Sequence, residues 1–383
     1  MPYITIHQTP KFRQVSFEDI IFGPVDMEAF KPIGNSYGTR TTYTKFVKEE
    51  FLNGFNIGHM ISLLNRFNEQ YKDLFEQDRQ SLYETFHIPK SSGGLRRIDA
   101  PKPELMNALR DLKRILEDEC FALYHTNAFA YIKHRSTIHA IKRHQKNQSN
   151  WFLKVDFSNF FGSTTPEFLM KMVGSIFPFS EIVLRPGGRE ALERALSLCF
   201  LNGGLPQGTP TSPMLTNLMM IPIDHYLTKT LRDFNGNSFI YTRYADDILI
   251  SCRKNFMFTE VTAMIEEVLL KFEAPFTFKR EKTRYGSKNG SNWNLGVMLN
   301  KDNEITVGRK KKNRMKLTLS NYIKDKQKGV AWDIHDVQVM NGLLSYYRMV
   351  EKDYVDGLIK FMNEKFGCDL MAFIKEDLNP SAA

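Results

Sequence analysis

Two adjacent aspartates lie in a stretch whose residue types suit the binding of a cation. Asp246 and Asp247 interrupt the run FIYTRYADDILIS, Phe239–Ser251, in which aromatic and β-branched residues flank a polar break. That pattern predicts two short strands joined by a turn at Ala245–Asp246. Neighbouring carboxylates at a hairpin tip repel each other unless water or a cation takes up their charge, and Mg²⁺ favours such oxygen ligands. An ordinary Asp-Asp turn is the alternative interpretation of this pair alone.

A third aspartate, Asp156, lies in a similar setting earlier in the chain. It is surrounded by apolar residues in WFLKVDFSNFFG, a strand-like run that ends at Gly162. A carboxylate is costly inside a buried strand, whereas at the exit of a strand it can bind a metal ion. A turn or helix-capping role is the alternative. If the three carboxylates fold together, they can hold two cations about 3.5–4 Å apart.

Two further stretches are of the kind that approaches phosphates. FHIPKSSGGLRRIDAP, Phe86–Pro101, predicts a hairpin with cations on both arms, including Lys90, Arg96 and Arg97. Such an arm can cover a triphosphate or can be a solvated basic hairpin. NGGLPQGTPTSPMLTNL, Asn202–Leu218, predicts a rigid loop whose backbone can lie close to a ligand. We expect a helix from about Met214 to Leu231 after it, kinked at Pro222.

The elements that position these stretches are predicted from apolar periodicity. Two or three helices are expected between residues 43 and 84, and an amphipathic helix over 102–123. His134, His139 and His144 follow that helix at a spacing of five residues, which does not align them on one helix face. We therefore expect a basic surface near nucleic acid there and not a metal site.

Composition narrows the class of protein. The chain has 383 residues, enough for more than one domain, and a formal net charge of +9, which favours a polyanionic partner. Its four cysteines form no CxxC pair, which predicts a reduced, cytoplasmic protein. No apolar run is long enough for a transmembrane helix, and the N-terminus lacks the layout of a secretory signal.

Six stretches in one order resemble a known family. They are IPKSSGGLRRIDAP, VDFSNFF, GGLPQGTPTSP, YTRYADD, EKT at 281–283 and WNLGVMLN at 293–300. Together they resemble the bacterial reverse transcriptases of the retron and group II intron lineage, over nearly the whole chain after about residue 80. The resemblance implies an α+β fold, a right-hand polymerase with fingers, an antiparallel-sheet palm and a helical thumb. The implied domains are an N-terminal extension with helices at 1–80, fingers at 81–150, a palm with fingers insertions and the primer grip at 151–300, and a thumb at 301–383.

The same resemblance implies a function and a metal site. The chain is expected to be an RNA-directed DNA polymerase that adds dNTPs to a primer 3′ end by a two-metal mechanism, with Mg²⁺ as the ion and Mn²⁺ as a substitute. Asp156, Asp246 and Asp247 are the implied catalytic carboxylates, and the carbonyl of Phe157 is expected to help them bind metal.

Other roles follow from the resemblance block by block. Lys90 and Arg96 resemble the fingers cations that neutralise the incoming triphosphate, and Arg97 could replace Arg96 in that role. Gln207 and Gly208 resemble the loop beside the nascent base pair.

Three further features resemble parts of the same enzymes. Phe161, five residues after Asp156, occupies the position of a ring that excludes a 2′-hydroxyl, and a continuing strand would place it on the face opposite Phe160. Lys282 resembles a lysine that assists the departure of pyrophosphate. Trp293–Leu299 resembles the primer-grip hairpin.

Differences from these relatives suggest a subclass. No long extension follows the thumb, and residues 305–308 read ITVG where retron enzymes carry a VTG tripeptide. We therefore expect a stand-alone enzyme similar to the phage-defence groups, with retron and intron types, or a template-independent DNA polymerase, as alternatives. Expected partners are a template RNA, in particular a cognate noncoding RNA, the DNA product and dNTPs. RKKKNRMK at 309–316 would track the nucleic-acid backbone. No membrane is expected, and an oligomer or accessory protein is left open.

Overall fold

The structure is a computed structural model that describes residues 56–89, 93–119, 124–234, 239–288 and 296–379. Predictions for the N-terminal extension, Lys90, Cys120 and Trp293 lie outside these residues. The strands are β1 (Tyr83–Pro89), β2 (Leu95–Pro101), β3 (Trp151–Asp156), β4 (Ile240–Tyr244), β5 (Asp247–Cys252), β6 (Arg284–Ser287), β7 (Met298–Leu299) and β8 (Ile305–Thr306).

The helices account for most of the remaining described residues. They are α1 (Ile57–Gln70), α2 (Lys72–Glu76), α3 (Pro103–Arg114), α4 (Thr137–Lys146), α5 (Pro166–Val173), α6 (Phe179–Leu184), α7 (Gly188–Ser197), α8 (Ser212–Met219), α9 (Ile221–Asp233), α10 (Phe258–Lys271), α11 (Arg309–Gln327), α12 (Ile334–Val350), α13 (Lys352–Phe366) and α14 (Leu370–Leu378). None of the described helices is both long enough and apolar enough to cross a membrane.

The chain divides into two compact units, and the predicted limits of fingers, palm and thumb stay predictions. The first unit contains residues up to Tyr131, Phe157–Thr230 and Thr262–Thr277. The second contains Ile132–Asp156, Leu231–Val261 and the residues from Phe278 onward.

The first unit contains the predicted basic hairpin. Strands β1 and β2 pair antiparallel over their whole lengths, from Tyr83 opposite Pro101 to Pro89 opposite Leu95, which confirms the hairpin. Only the end that includes Tyr83, Asp99 and Pro101 is buried, and the rest of the hairpin is largely exposed.

The helix predicted from about Met214 to Leu231 is two helices in the structure. Helix α8 ends at Met219, and α9 begins at Ile221. Pro222 has no backbone N–H, so it cannot continue the hydrogen bonds of α8, but it is well suited to the first turn of a new helix. The helix is therefore interrupted at Met220, whereas we predicted one continuous helix with a kink at Pro222.

The second unit is built on a four-stranded antiparallel sheet with the strand order β4-β5-β3-β6. β3 pairs with β5 from Trp151 opposite Cys252 to Asp156 opposite Asp247. One apolar cluster packs α4 and the β7–β8 pair with this sheet; its buried members are Ile141, Phe152, Leu249, Val297 and Leu299. The two strands that carry the predicted aspartates therefore both contribute to this core, β3 through Phe152 and β5 through Leu249.

The helices α11–α14 form a second core within the same unit. Its buried residues include Leu319, Tyr322, Val337, Leu344 and Val355, each on the inward face of its helix. This confirms the helices predicted after the short β7–β8 pair.

Candidate active site

The three predicted carboxylates lie at one end of the sheet in the second unit. Asp156 is the last residue of β3 and is the register partner of Asp247, the first residue of β5. Asp246 occupies the turn between β4 and β5. The turn is shaped by Ala245, whose φ of 57° is left-handed, and its carbonyl accepts a hydrogen bond from the buried guanidinium of Arg243 at 3.1 Å. The predicted strand–turn–strand is therefore confirmed.

Burial makes Asp246 and Asp247 less acidic than usual. The pKa of Asp246 is raised, first by burial and then by the negative charge of Asp156. Burial also raises the pKa of Asp247 to about 6, although Lys154 acts in the opposite direction. A raised pKa means that the charged form is disfavoured here, so a cation would stabilise it.

Three lysines contact the carboxylates. Lys279 Nζ lies 2.6 Å from Asp156 Oδ1, and Lys282 Nζ lies 3.7 Å from the same oxygen. The backbone N–H of Lys279 also donates to the carbonyl of Asp156 at 2.9 Å. Lys154 Nζ lies 2.8 Å from Asp247 Oδ2.

Sequence reasoning found Lys282 but missed the other two lysines. Lys154 is two residues before Asp156 on one strand, so its side chain shares the face of that aspartate. That period of two was a usable signal for Lys154. Nothing in the local pattern distinguishes Lys279 from Lys282, because the segment between α10 and β6 is irregular apart from a short turn at Arg280–Lys282.

The donor chemistry of this edge fits a divalent cation. Carboxylate oxygens are the ligands that Mg²⁺ prefers, and this edge presents the carboxylates of Asp156, Asp246 and Asp247. Asp156 and Asp246 would hold the ion, since Asp246 has no ion pair within the described residues and its charge is disfavoured by Asp156. Across the described ranges, no group of three or more acidic, histidine or cysteine side chains has metal-ligand spacing.

The two arginines of the basic hairpin differ in their partners. Arg97 Nε lies 2.8 Å from Asp99 Oδ1, and Thr85 Oγ1 donates to the same oxygen at 2.7 Å. Arg96 pairs in register with Ile88 and therefore lies on the opposite face, without an ion pair to any described residue. Arg96 is thus the more available of the two for a ligand.

The loop that carries Gln207 and Gly208 is attached to the same hairpin in the first unit. The backbone N–H of Asp99 donates to the carbonyl of Gln207 at 2.8 Å. Gly208 has a φ of 123°, and a Cβ there would lie 2.8 Å from the carbonyl oxygen of Asp99. Only glycine fits this close approach, so Asp99, which we had not singled out, joins two predicted nucleotide-binding stretches.

The strand does not continue to the two phenylalanines, so that expectation was wrong. β3 ends at Asp156, and Phe160 and Phe161 lie in turns. Their environments nevertheless differ. Phe160 is 3% exposed and packs on Phe276 with 5.0 Å between ring centroids, whereas Phe161 is partly exposed and meets Phe160 edge-on at 5.9 Å.

The histidine prediction needs a correction at one position. His134 and His139 are exposed as expected, but His144 is fully buried in the second unit. Its ring nitrogens lie 2.5 Å from Ser251 Oγ and 2.8 Å from Thr242 Oγ1. Burial lowers the pKa of His144 to about 3, so this side chain is neutral and structural. It is not part of a basic surface.

The run 309–316 forms the first turns of α11. Arg309 and Lys310 are exposed, whereas Lys311 donates to the carbonyl of Gly296 at 2.9 Å. Lys312 Nζ lies 2.5 Å from Glu351 Oε1 and 4.3 Å from the ring centre of Tyr354. The run therefore contains both solvent-exposed cations and cations, Lys311 and Lys312, that form contacts within the second unit.

Comparison with known proteins identifies the family. Residues 88–320 match the family described as reverse transcriptase (RNA-dependent DNA polymerase), which is more than half of the chain. The chain belongs to the reverse transcriptase family. It is 25% identical to the Retron Ec83 reverse transcriptase of Escherichia coli over 303 residues, covering 77% of this chain and 90% of that one. It is also 25% identical to the Retron Ec73 reverse transcriptase of Escherichia coli over 274 residues, covering 70% and 83% of the two chains.

One further curated relative and two solved structures are also similar to parts of this chain. The Retron Mx65 reverse transcriptase of Myxococcus xanthus is 27% identical over 293 residues, covering 74% of this chain and 65% of that one. A structure of telomerase from Candida albicans with a fragment of telomeric RNA has a TM-score of 0.43 at 12% identity, covering 78% of this chain and 60% of that chain. The apo telomerase of Candida tropicalis has a TM-score of 0.42 at 12% identity, covering 79% and 65%.

Family membership fixes the class of fold and of reaction. This reverse transcriptase is an α+β protein of the right-hand polymerase fold, as predicted, and it is an RNA-directed DNA polymerase. Its relatives place it with the retron-like bacterial enzymes, which confirms the predicted lineage. Reverse transcriptases use divalent metal ions, in agreement with the donor chemistry of the carboxylate edge.

Proposed function

We propose that this reverse transcriptase extends a primer 3′ end with dNTPs at the edge formed by Asp156, Asp246 and Asp247, assisted by two Mg²⁺ ions that Mn²⁺ can replace. The observation that carries the proposal is the pairing of Asp156 with Asp247 across β3 and β5, with Asp246 in the adjoining turn. When bound, such ions activate the 3′-hydroxyl and stabilise the leaving pyrophosphate. In this proposal Asp156 and Asp246 bind the ions, helped by the Phe157 carbonyl, and Asp247 lies beside them, paired with Lys154.

The lysines beside Asp156 have a proposed role in the same reaction. Lys282, with a side chain 50% exposed, is free to follow a phosphate, and we assign it the assistance of pyrophosphate departure. Lys279 is the less exposed of the two and is bound to Asp156 through both its backbone and its ammonium group. It would orient the carboxylate of Asp156.

The remaining nucleotide-binding assignments are proposals that rest on the resemblance. Arg96, together with Lys90, would neutralise the triphosphate, and its lack of an ion pair within the described residues supports this choice over Arg97. Gln207 and Gly208 would lie beside the nascent base pair. Phe161 would exclude ribonucleotides, which its partial exposure supports.

A groove in the second unit supports contact with a nucleic-acid strand. It has a volume of about 790 Å³ and is lined by cations of α11 and aromatic residues of α13, including Arg309, Lys312, Lys316, Tyr354 and Phe361. Lys316 Nζ lies 4.6 Å from the ring centre of Phe361. Cations bind phosphates and aromatic faces stack on bases, so the groove suits a polynucleotide.

The biological proposal is the copying of a dedicated structured noncoding RNA in antiphage defence, within the cytoplasm. It rests on the resemblance to retron-like enzymes and on the formal net charge of +9. The basic stretches 133–146 and 309–316 would contact the RNA, with the reservation that His144 is buried and belongs to the core.

The deciding experiment is to purify the protein from its native host with any bound RNA, supply dNTPs and Mg²⁺, and sequence the DNA made. We expect DNA complementary to one enriched RNA. Asp246→Asn should make no product, whereas Asp336→Asn, an exposed aspartate on α12, should behave as the wild type. DNA with no counterpart among the bound RNAs would instead indicate template-independent synthesis, and an absence of any enriched RNA would overturn the biological proposal.

A further inference from the structure

Lys154 and Asp247 form a partly buried ion pair within the sheet that carries the candidate site. Their side chains are 20% and 13% exposed, and the ammonium nitrogen lies 2.8 Å from Asp247 Oδ2. The register places Lys154 opposite Leu249, the position two residues after Asp247 on β5. Lys154, Asp247 and Asp156 therefore share one face of the sheet. This lysine is fixed by the strand and not by a flexible loop.

The pair distinguishes Asp247 from the other two carboxylates. One oxygen of Asp247 is occupied by Lys154, and the other is buried. Asp246 has no ion pair among the described residues, and Asp156 is contacted by lysines outside the strands, Lys279 and Lys282, whose side chains are 25% and 50% exposed. The lysine side chains beside Asp156 are therefore easier for a metal ion to displace than Lys154, the lysine beside Asp247.

We propose that Lys154 is a positioning residue that neutralises Asp247 and keeps its carboxylate out of the set of groups that bind the divalent cations. Asp156 and Asp246 then bind the cations, and the Lys154–Asp247 pair sets how tightly they do so. This inference rests on the proposed function, because it assumes that the edge binds divalent ions. Its physical basis is charge: the ion pair adds a net charge of zero, whereas a free Asp247 would attract a cation and a free Lys154 would repel it.

The test is a Mn²⁺ titration of nucleic-acid-free protein, followed by electron paramagnetic resonance of the unbound ion. Lys154→Met should bind Mn²⁺ about tenfold more tightly than the wild type, and Asp247→Asn about tenfold more weakly. The double variant, Lys154→Met with Asp247→Asn, again has no net charge at this place and should return to within about twofold of the wild type.

Two matched variants control for charge and for folding. Lys154→Arg keeps the cation and should retain the wild-type affinity. Lys171→Met removes the ammonium from another lysine–carboxylate pair, with Glu273 in the first unit, and should leave Mn²⁺ binding unchanged. Circular dichroism in EDTA shows which variants are folded, and if Lys154→Met alone does not fold, the comparison of the double variant with Asp247→Asn decides the question.

The outcomes separate this inference from the proposed function. A double variant that binds Mn²⁺ as weakly as Asp247→Asn would overturn the inference, because Asp247 would then be a cation ligand in its own right. An unchanged affinity in a folded Lys154→Met protein would overturn it as well. If the wild type binds no Mn²⁺, or if Asp246→Asn binds it equally well, the proposed function itself fails.

Discussion

The two ends of one sheet face in the second unit handle buried polar groups in opposite ways. At one end, His144 contacts Thr242 and Ser251, and Ser251 Oγ donates to Ser149 Oγ at 2.7 Å. At the other end, Asp156 and Asp247 meet as a carboxylate pair beside Asp246. Both sets belong to β3, β4 and β5 or to elements packed on them, so the contrast lies in chemistry and not in location.

The difference concerns whether the protein itself completes the interactions of each group. A neutral imidazole that donates from Nδ1 and accepts at Nε2 satisfies both hydroxyls at the His144 end, and no charge is buried there. At the carboxylate end, Asp246 and Asp247 have raised pKa values, and Asp246 has no ion pair within the described part of the chain. A completed network stabilises the fold, whereas an incomplete and charged one is suited to a ligand.

The largest effect on stability is expected for Phe160, which packs in the core, whereas its neighbour Phe161 is expected to affect only the choice of nucleotide. Phe160→Ala removes a ring packed on Phe157 and Phe276 and should cost about 3–5 kcal/mol of unfolding free energy. Phe161→Ala should leave the protein folded but lower its preference for dNTPs over rNTPs at least about tenfold, or about 1.4 kcal/mol. Urea denaturation and single-nucleotide incorporation measure the two quantities. An unaltered sugar preference in folded Phe161→Ala would show that this ring has no selective role.

The His144 end should affect stability alone. His144→Leu keeps a similar volume but leaves the Thr242 hydroxyl without its partner, and we expect a loss of about 2–4 kcal/mol. Mn²⁺ affinity of the folded protein should not change, because no charge has been altered at the carboxylate end. If His144→Leu lost Mn²⁺ binding while keeping its stability, the separation of a structural end from a cation-binding end would be wrong.

The two ends should also respond to pH with opposite signs when metal is removed with EDTA. The folded pKa of Asp247 is raised to about 6, so its contribution to stability is complete below its ordinary pKa near 3.8 and is lost as the pH rises through 6. The folded pKa of His144 is lowered to about 3, so stability is lost as the pH falls from about 6.5 towards 3. At about 1.4 kcal/mol per pKa unit, these pKa shifts amount to at most about 3 kcal/mol of unfolding free energy for Asp247 and about 5 kcal/mol for His144.

Single variants assign each slope to its residue. Between pH 4 and 6, urea denaturation of Asp247→Asn should lack the loss of stability with rising pH that Asp247 causes in the wild type. His144→Leu should lack the loss towards acid pH. If both variants kept the wild-type profile, the buried groups that control pH stability would lie elsewhere.

The smallest effect concerns two lysines of α11. Lys310 is exposed with no ion pair among the described residues, whereas Lys312 is bound to Glu351. In Lys310→Gln, the slope of the logarithm of the duplex-binding constant against the logarithm of the salt concentration should become shallower by about 0.7–0.9. The stability of the protein should not change. Lys312→Gln should instead lower the melting temperature. Fluorescence anisotropy at several salt concentrations measures the slope, and an unchanged slope for Lys310→Gln would make this lysine an ordinary solvated side chain.

Local pattern was sufficient for some of this arrangement. The apolar runs on either side of Ala245–Asp246 predicted two strands joined by a turn, as observed for β4 and β5. These features depend on neighbours in sequence. The order of the blocks was enough to predict the family.

Features that depend on residues distant in sequence could not be predicted. His144, on helix α4, is buried against Thr242 of β4 and Ser251 of β5, and the helical spacing of the sequence does not reveal those partners. The role of Asp99 depends on its contacts with the loop at Gln207. Phe160 and Phe161 lie in turns where we expected a strand. A short apolar run occurs in buried strands and in buried turns alike, so its pattern does not distinguish these two structures.

The central claim is that Asp156 and Asp246 form the catalytic cation site of this enzyme. Primer extension by Asp246→Asn on a defined RNA template with a DNA primer, dNTPs and Mg²⁺ tests it most directly. We predict a rate at least about a hundredfold below the wild type. In EDTA the melting temperature should be equal or slightly higher, since a repelling charge with a raised pKa is removed. Primer extension at more than about a tenth of the wild-type rate would contradict the account.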